Sequence, residues 1–108
     1  MINYEDFSKV EIRIGEIKSA EKIEKSEKLL LLEVDFKEKD LRTVVSGIAP
    51  YFKEPQDLVG VQCAFVTNLE PRSLMGHESQ AMILGARNEE SFVLLKASSE
   101  VNPGCIVG

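Results

Sequence analysis

A short apolar alternation that changes phase constrains this chain more than any other feature. Val10, Ile12 and Ile14 alternate with Glu11 and Arg13, the period of a strand with one buried face. After Gly15 the apolar phase moves to Ile17 and then Ala20. A one-residue slip at a glycine predicts a β-bulge or sharp bend there. Small barrels use such a bend where one long first strand serves both halves of the wall.

The rest of the chain repeats this pattern between turn signals. Residues 29–36 form a second expected strand, with Leu30, Leu32, Val34 and Phe36 on one side. Lys37-Glu38-Lys39-Asp40 reads as a charged hairpin tip, and residues 41–46 as a third strand ending at Gly47. Pro50 and Pro55 change the character of residues 48–60, where a short helix with proline in its first turn is expected. Strands follow at 61–68, 81–86 and 92–96, and Pro103-Gly104 makes a turn before a last strand at 105–107. Three strands, a helical insertion and two strands is the order of an OB-fold, an all-β, five-stranded Greek-key barrel, here with a C-terminal extension. Residues 1–108 are read as one domain, because two cores need a longer chain.

Charge weighs against broad nucleic-acid binding. Thirteen Lys and Arg against 18 Asp and Glu give a formal net charge of −5. An RNA site must then be a local basic patch on an acidic body, since phosphate contacts rest on Lys and Arg. No apolar run approaches the ~20 residues of a bilayer span, so no membrane partner is expected. The start of the chain lacks a secretory pattern, which makes the cytoplasm the expected address. Cys63, Cys105 and the lone His77 cannot supply a four-ligand zinc site, and no other cofactor signal is present. Both cysteines are read as small buried hydrophobes.

The fold would place two loops at the binding face. Residues 18–28 interleave Lys18, Lys22, Lys25 and Lys28 with Glu21, Glu24 and Glu27, which reads mainly as a solvated loop of balanced charge. Lys28 differs, because it abuts the apolar run of the second strand and is rigidly mounted for a phosphate. Residues 69–79 are the other loop. Arg72 follows Pro71, Leu74 and Met75 are apolar, and Asn68 and Ser79 offer hydrogen-bonding groups suited to base edges of unpaired RNA. Gly47 is either an exit turn or a point where an RNA backbone comes close. Met82 offers a soft apolar surface for a base, though core packing is its commoner use.

Catalysis is not expected. His77, Glu78 and Ser79 are consecutive, and neighbours on an extended chain point in opposite directions, so they do not build a triad. His77 is read as a surface residue. No paired carboxylates and no glycine-rich phosphate loop occur.

Six motifs together carry a family resemblance. They are Asp6-Phe7-Ser8-Lys9-Val10-Glu11-Ile12-Arg13-Ile14-Gly15, Lys28-Leu29-Leu30, Arg42-Thr43-Val44-Val45-Ser46-Gly47-Ile48-Ala49, Leu58-Val59-Gly60, Asn68-Leu69-Glu70-Pro71-Arg72 and Ser79-Gln80-Ala81-Met82-Ile83-Leu84. In this order they resemble the tRNA-binding domain that ends many methionyl-tRNA synthetases, forms their separate β subunits, or stands free as a dimer. The resemblance implies a non-catalytic homodimer that binds tRNA by shape, with a synthetase catalytic subunit as a conceivable partner. It implies RNA contact by Lys28, Arg42, Ser46, Asn68, Arg72, Ser79 and Met82. It implies dimer contact by Asp6, Phe7, Val10, Val101 and Pro103. The chain departs from the family at Ala81, where a glycine is usual. The alternative reading is an export-related peptide-binding chaperone of the same fold, whose members lack the Lys-Leu-Leu and Ser-Gly-Ile-Ala motifs.

Overall fold

The computed structural model describes residues 1–108. A short helix, α1 (Tyr4–Phe7), is capped by Asn3, whose Oδ1 accepts the Asp6 N–H at 2.8 Å. The main sheet contains β1 (Ile12–Lys22), β2 (Leu30–Asp35), β3 (Arg42–Ser46) and β4 (Gln62–Val66). Between β3 and β4 lie two 3-10 turns, Ala49–Tyr51 and Pro55–Leu58, so the expected helix is shorter and tighter than an α-helix. A hairpin follows, β5 (Arg72–Leu74) and β6 (His77–Ser79), then β7 (Met82–Ile83). A second hairpin, β8 (Gly85–Arg87) with β9 (Phe92–Leu94), and a terminal β10 (Ile106–Val107) complete the chain. The expected strand 81–86 is therefore split between two sheets.

Strand order β3-β2-β1-β4-β7 makes an all-β, OB-like barrel in which β1 serves both halves. Its residues 12–16 pair with β4, and residues 16–22 pair with β2. The wall closes from β3 to the segment after β6. The Gln80 N–H donates to Thr43 O at 2.8 Å, and the Val45 N–H donates to Ser79 Oγ at 2.9 Å. The chain is all-β as expected, with barrel closure carried partly by side chains.

The phase change in β1 falls elsewhere than expected. The register shift lies between Ile17 and Ser19, not at Gly15. A Cβ at Gly15 would stand 2.5 Å from Val34 Cγ1 and 2.6 Å from Phe36 Cε1, so Gly15 faces the interior and lets those side chains close over it. Arg13, Gly15 and Ile17 thus point inward, and the bulge then turns Ala20 inward. The Val10, Ile12 and Ile14 face is the outer one. Beside it runs the tail, with the Ile14 N–H donating to Cys105 O at 2.9 Å and Ile12 paired with Val107.

The core is built by the even residues of β2 and by Phe36, which directly follows it. Leu30, Leu32, Val34 and Phe36 are all at most 2% exposed and pack on Ile17, Val44, Cys63, Phe65 and Ile83. Phe36 and Phe65 meet edge to face, centroids 5.3 Å apart. Removing either ring would cost about 3–5 kcal/mol. Burial pushes the Cys63 thiol up to about 12, so it is an inert core group. Cys105 corrects the expectation for cysteine: it lies exposed beside the edge strand β10.

Candidate nucleic-acid interface

A groove lies between the end of β3 and the β5–β6 hairpin. Its formation follows from the hairpin turn. Met75 and Gly76 both have positive φ, 51° and 80°, as a two-residue mirror-image turn requires. The strands then pair Arg72 with Ser79 and Leu74 with His77, which puts these four side chains on one hairpin face. Ser79 fastens that face to β3, since its buried Oγ accepts from Val45 N–H and also reaches the carbonyls of Val45 and Ala81. Val45 points out of the barrel and is buried by this hairpin rather than by the core.

Four residues singled out in the sequence come together here: Ser46, Arg72, Ser79 and Met82 line the groove, alongside Leu69 and Leu74. Arg72 and Met82 are exposed, Met82 by 47%. No hydrogen bond or ion pair within the chain occupies the Arg72 guanidinium. Lys28 is exposed at the adjoining rim, its backbone held by Ser26 Oγ and by the Ala49 N–H, which donates to Lys28 O at 3.0 Å. Gly47 has open space around it; a Cβ there would meet nothing within 4 Å. Ala81 keeps an ordinary backbone conformation and places its methyl in the core cluster, so it replaces the usual glycine without strain.

Three of the sequence-predicted residues, Arg42, Asn68 and Ser79, also hold the fold together. Arg42 donates from Nε and Nη2 to both Glu38 oxygens at 2.8 Å and from Nη1 to Thr67 O at 2.7 Å and Gln80 O at 3.2 Å, with its guanidinium 5.3 Å from the Phe36 ring centre. Arg13 approaches the same ring at 5.2 Å and also binds Glu38 at 3.0 Å. The two cations strap the β2–β3 tip over the end of the barrel, and the Arg42 hydrogen bonds hold the Glu38 carboxyl below the usual range. Asn68 bonds the N-terminal segment: Oδ1 accepts from Glu11 N–H and Nδ2 donates to Lys9 O. Ser79 is buried, with no free hydroxyl to offer. Apart from Glu38, four residues before Arg42, and Ala81, two after Ser79, the partners are distant in the chain, so sequence reading missed these duties.

Ahead of β1, Phe7 and Val10 are exposed by 46% and 42%, and Ile106 and Val107 of β10, which pairs with the start of β1, are exposed as well. Val101 is pinned by Gln62, which accepts its N–H at 2.9 Å and donates to its carbonyl at 2.7 Å. Pro103 is half-buried, and Asp6 lies exposed in α1. No cluster of three or more potential metal ligands occurs. No helix is long and apolar enough to cross a membrane.

Residues 12–105 match the family model described as "Putative tRNA binding domain". The chain is 46% identical over 106 residues to the methionine–tRNA ligase of Helicobacter pylori strain J99, covering 98% of this chain. It is 45% identical over 108 residues to that of Methanococcoides burtonii. In both cases it spans only 16% of the relative's length. Among solved structures, a MetRS-related protein from Pyrococcus horikoshii superposes with TM-score 0.92 at 37% identity, covering 100% of this chain and 98% of the other. The chaperone CsaA from Bacillus anthracis superposes at 0.89 with 31% identity, covering 100% and 99%.

Proposed function

Because the chain belongs to the tRNA-binding domain family, we propose that it binds tRNA through the groove between β3 and the β5–β6 hairpin, without catalysing a reaction itself. Arg72 is the groove's unengaged cation and Lys28 the mounted cation at its rim. Ser46 and Met82 supply a hydroxyl and an apolar face for a sugar or base. Arg42, Asn68 and Ser79 act indirectly, by holding the rim in shape. The observation that carries this reading is the convergence of Ser46, Arg72 and Met82 on one groove. The open space over Gly47 supports it, since a phosphate backbone can approach there.

Residues 1–108 act as one tRNA-binding unit. The exposed apolar strip Phe7, Val10, Ile106 and Val107 supports a homodimer built on α1, the start of β1 and the tail, near Val101 and Pro103. Two modest patches on a rigid two-fold body would raise apparent affinity by ~10²-fold where one tRNA reaches both. This offsets the acidic net charge. The unit works in the cytoplasm, free-standing or alongside a methionyl-tRNA synthetase catalytic part. A gel shift at low salt tests the reading. Preference for tRNA over duplex DNA supports it, and equal retention of both contradicts it.

The likeness to CsaA favours one second reading, a peptide-binding chaperone. Its apolar surface would be the cluster in which Tyr51 stacks on Phe92 at 5.2 Å beside exposed Val93. Suppression of aggregation of an unfolded protein, unaffected by tRNA, would favour that reading over the first.

A further inference from the structure

A second cleft opens at the tip of the same hairpin. It is lined by Glu21 and Lys22 at the end of β1, by Ile23, Glu24 and Lys25 of the loop that follows, by Leu31 of β2, and by Met75 and His77 of the hairpin. The two clefts are parts of one path. Strand register places Glu21, Leu31 and Val45 in one row across the outer wall of β1, β2 and β3. Val45 floors the first groove and Leu31 the second. Above that row lies the hairpin face of Arg72, Leu74, His77 and Ser79, continuous from one cleft to the next.

The lining has a mixed chemistry. Met75 is 55% exposed at the turn, and its positive φ fixes it there. Lys25 also has positive φ, 71°, which holds the loop in a tight turn beside the cleft. Neither Lys22 nor Lys25 makes an ion pair within the chain, although Glu21 and Glu24 stand close in sequence. An imidazole ring, a thioether and two free ammonium groups suit a base with its adjoining phosphate. Glu21 and Glu24 oppose a bare anion, which gains nothing from the ring and thioether, whereas a nucleotide adds base contacts to the two ammonium contacts. A purely apolar peptide would meet four charges. A duplex would not present an unstacked base to this cleft.

The geometry points to an unpaired nucleotide of the bound RNA entering this cleft, its base against Met75 and His77 and its phosphate reached by Lys22 and Lys25. This inference rests on the tRNA-binding reading and extends the RNA path past the hairpin tip.

The test uses the whole chain, with total tRNA and a blunt RNA duplex as probes. Lys22→Gln with Lys25→Asn keeps the loop polar, and Asn tolerates positive φ. It should weaken tRNA binding about tenfold and flatten the salt dependence by roughly 0.7 in log–log slope for each lost phosphate contact. His77→Ala with Met75→Asn should weaken tRNA binding about five- to tenfold with the salt slope unchanged, because stacking carries no counterion release. Neither pair should alter duplex binding by more than about twofold. Circular dichroism confirms that each variant is folded. Wild-type levels of tRNA affinity in both folded variants would overturn the inference, as would equal losses on the duplex. Failure of the wild type to bind tRNA at all would instead overturn the parent reading.

Discussion

The side-chain oxygen of Asn68 accepts the backbone N–H of Glu11 at 2.8 Å, and its amide nitrogen donates to the carbonyl of Lys9 at 2.7 Å. This single residue, two positions after β4, thereby clamps both flanks of Val10, part of the strip proposed for dimer contact. An amide expected from the sequence to meet RNA thus seats the segment that leads into β1.

Asn68→Ala removes both hydrogen bonds and leaves the groove lining intact. It should cost about 1–2 kcal/mol of stability and speed amide exchange at Glu11. Denaturant unfolding and hydrogen exchange measure the two. Fast exchange in the wild type would mean that the clamp is not held in solution.

Gly47→Ala separates fold from recognition. Open space and an unstrained backbone predict a change in stability within about 0.5 kcal/mol. If RNA approaches this exit turn, the added methyl should weaken tRNA binding severalfold. Unchanged affinity would place the RNA backbone elsewhere on the rim.

Glu38 gives the fold a signed pH dependence. Its folded value is depressed, chiefly by hydrogen bonds from Arg42, against desolvation, and further by those from Arg13. The stabilising contribution is therefore present above the ordinary carboxylate value and lost as pH falls through the depressed folded one. Glu38→Gln should lower the denaturant midpoint at about pH 7 and narrow its gap to wild type at about pH 3. An equal gap at both would mean that the strap does not act through charge.

The barrel was legible in the sequence because β2 alternates cleanly and its Leu30, Leu32, Val34 and Phe36 side dominates the core. The phase slip in β1 was visible too, but its place was not. Glycine suggested a bend at position 15, whereas the side chains of Val34 and Phe36 need that position empty and the bulge falls after Ile17. The β5–β6 hairpin escaped because its turn reads Met75-Gly76 instead of a common Asn-Gly pair. Arg42 and Ser79 were read as RNA contacts, and their duties in the fold went unseen because Thr67, Gln80 and Val45 lie 25 to 38 residues away. Pairing at that distance depends on closure of the barrel, which no local pattern encodes. Arg72 and Met82 needed no such partner, and both line the groove with their side chains exposed.

The most direct measurement is titration of labelled tRNA with wild type and with Arg72→Ala/Met82→Ala, at low salt and across a salt series. Both residues are exposed, so the variant should unfold at the wild-type midpoint. The account predicts that it binds tRNA at least about tenfold more weakly, with a shallower salt slope from the lost guanidinium contact. A folded variant with wild-type affinity and slope would contradict the placement of RNA in this groove.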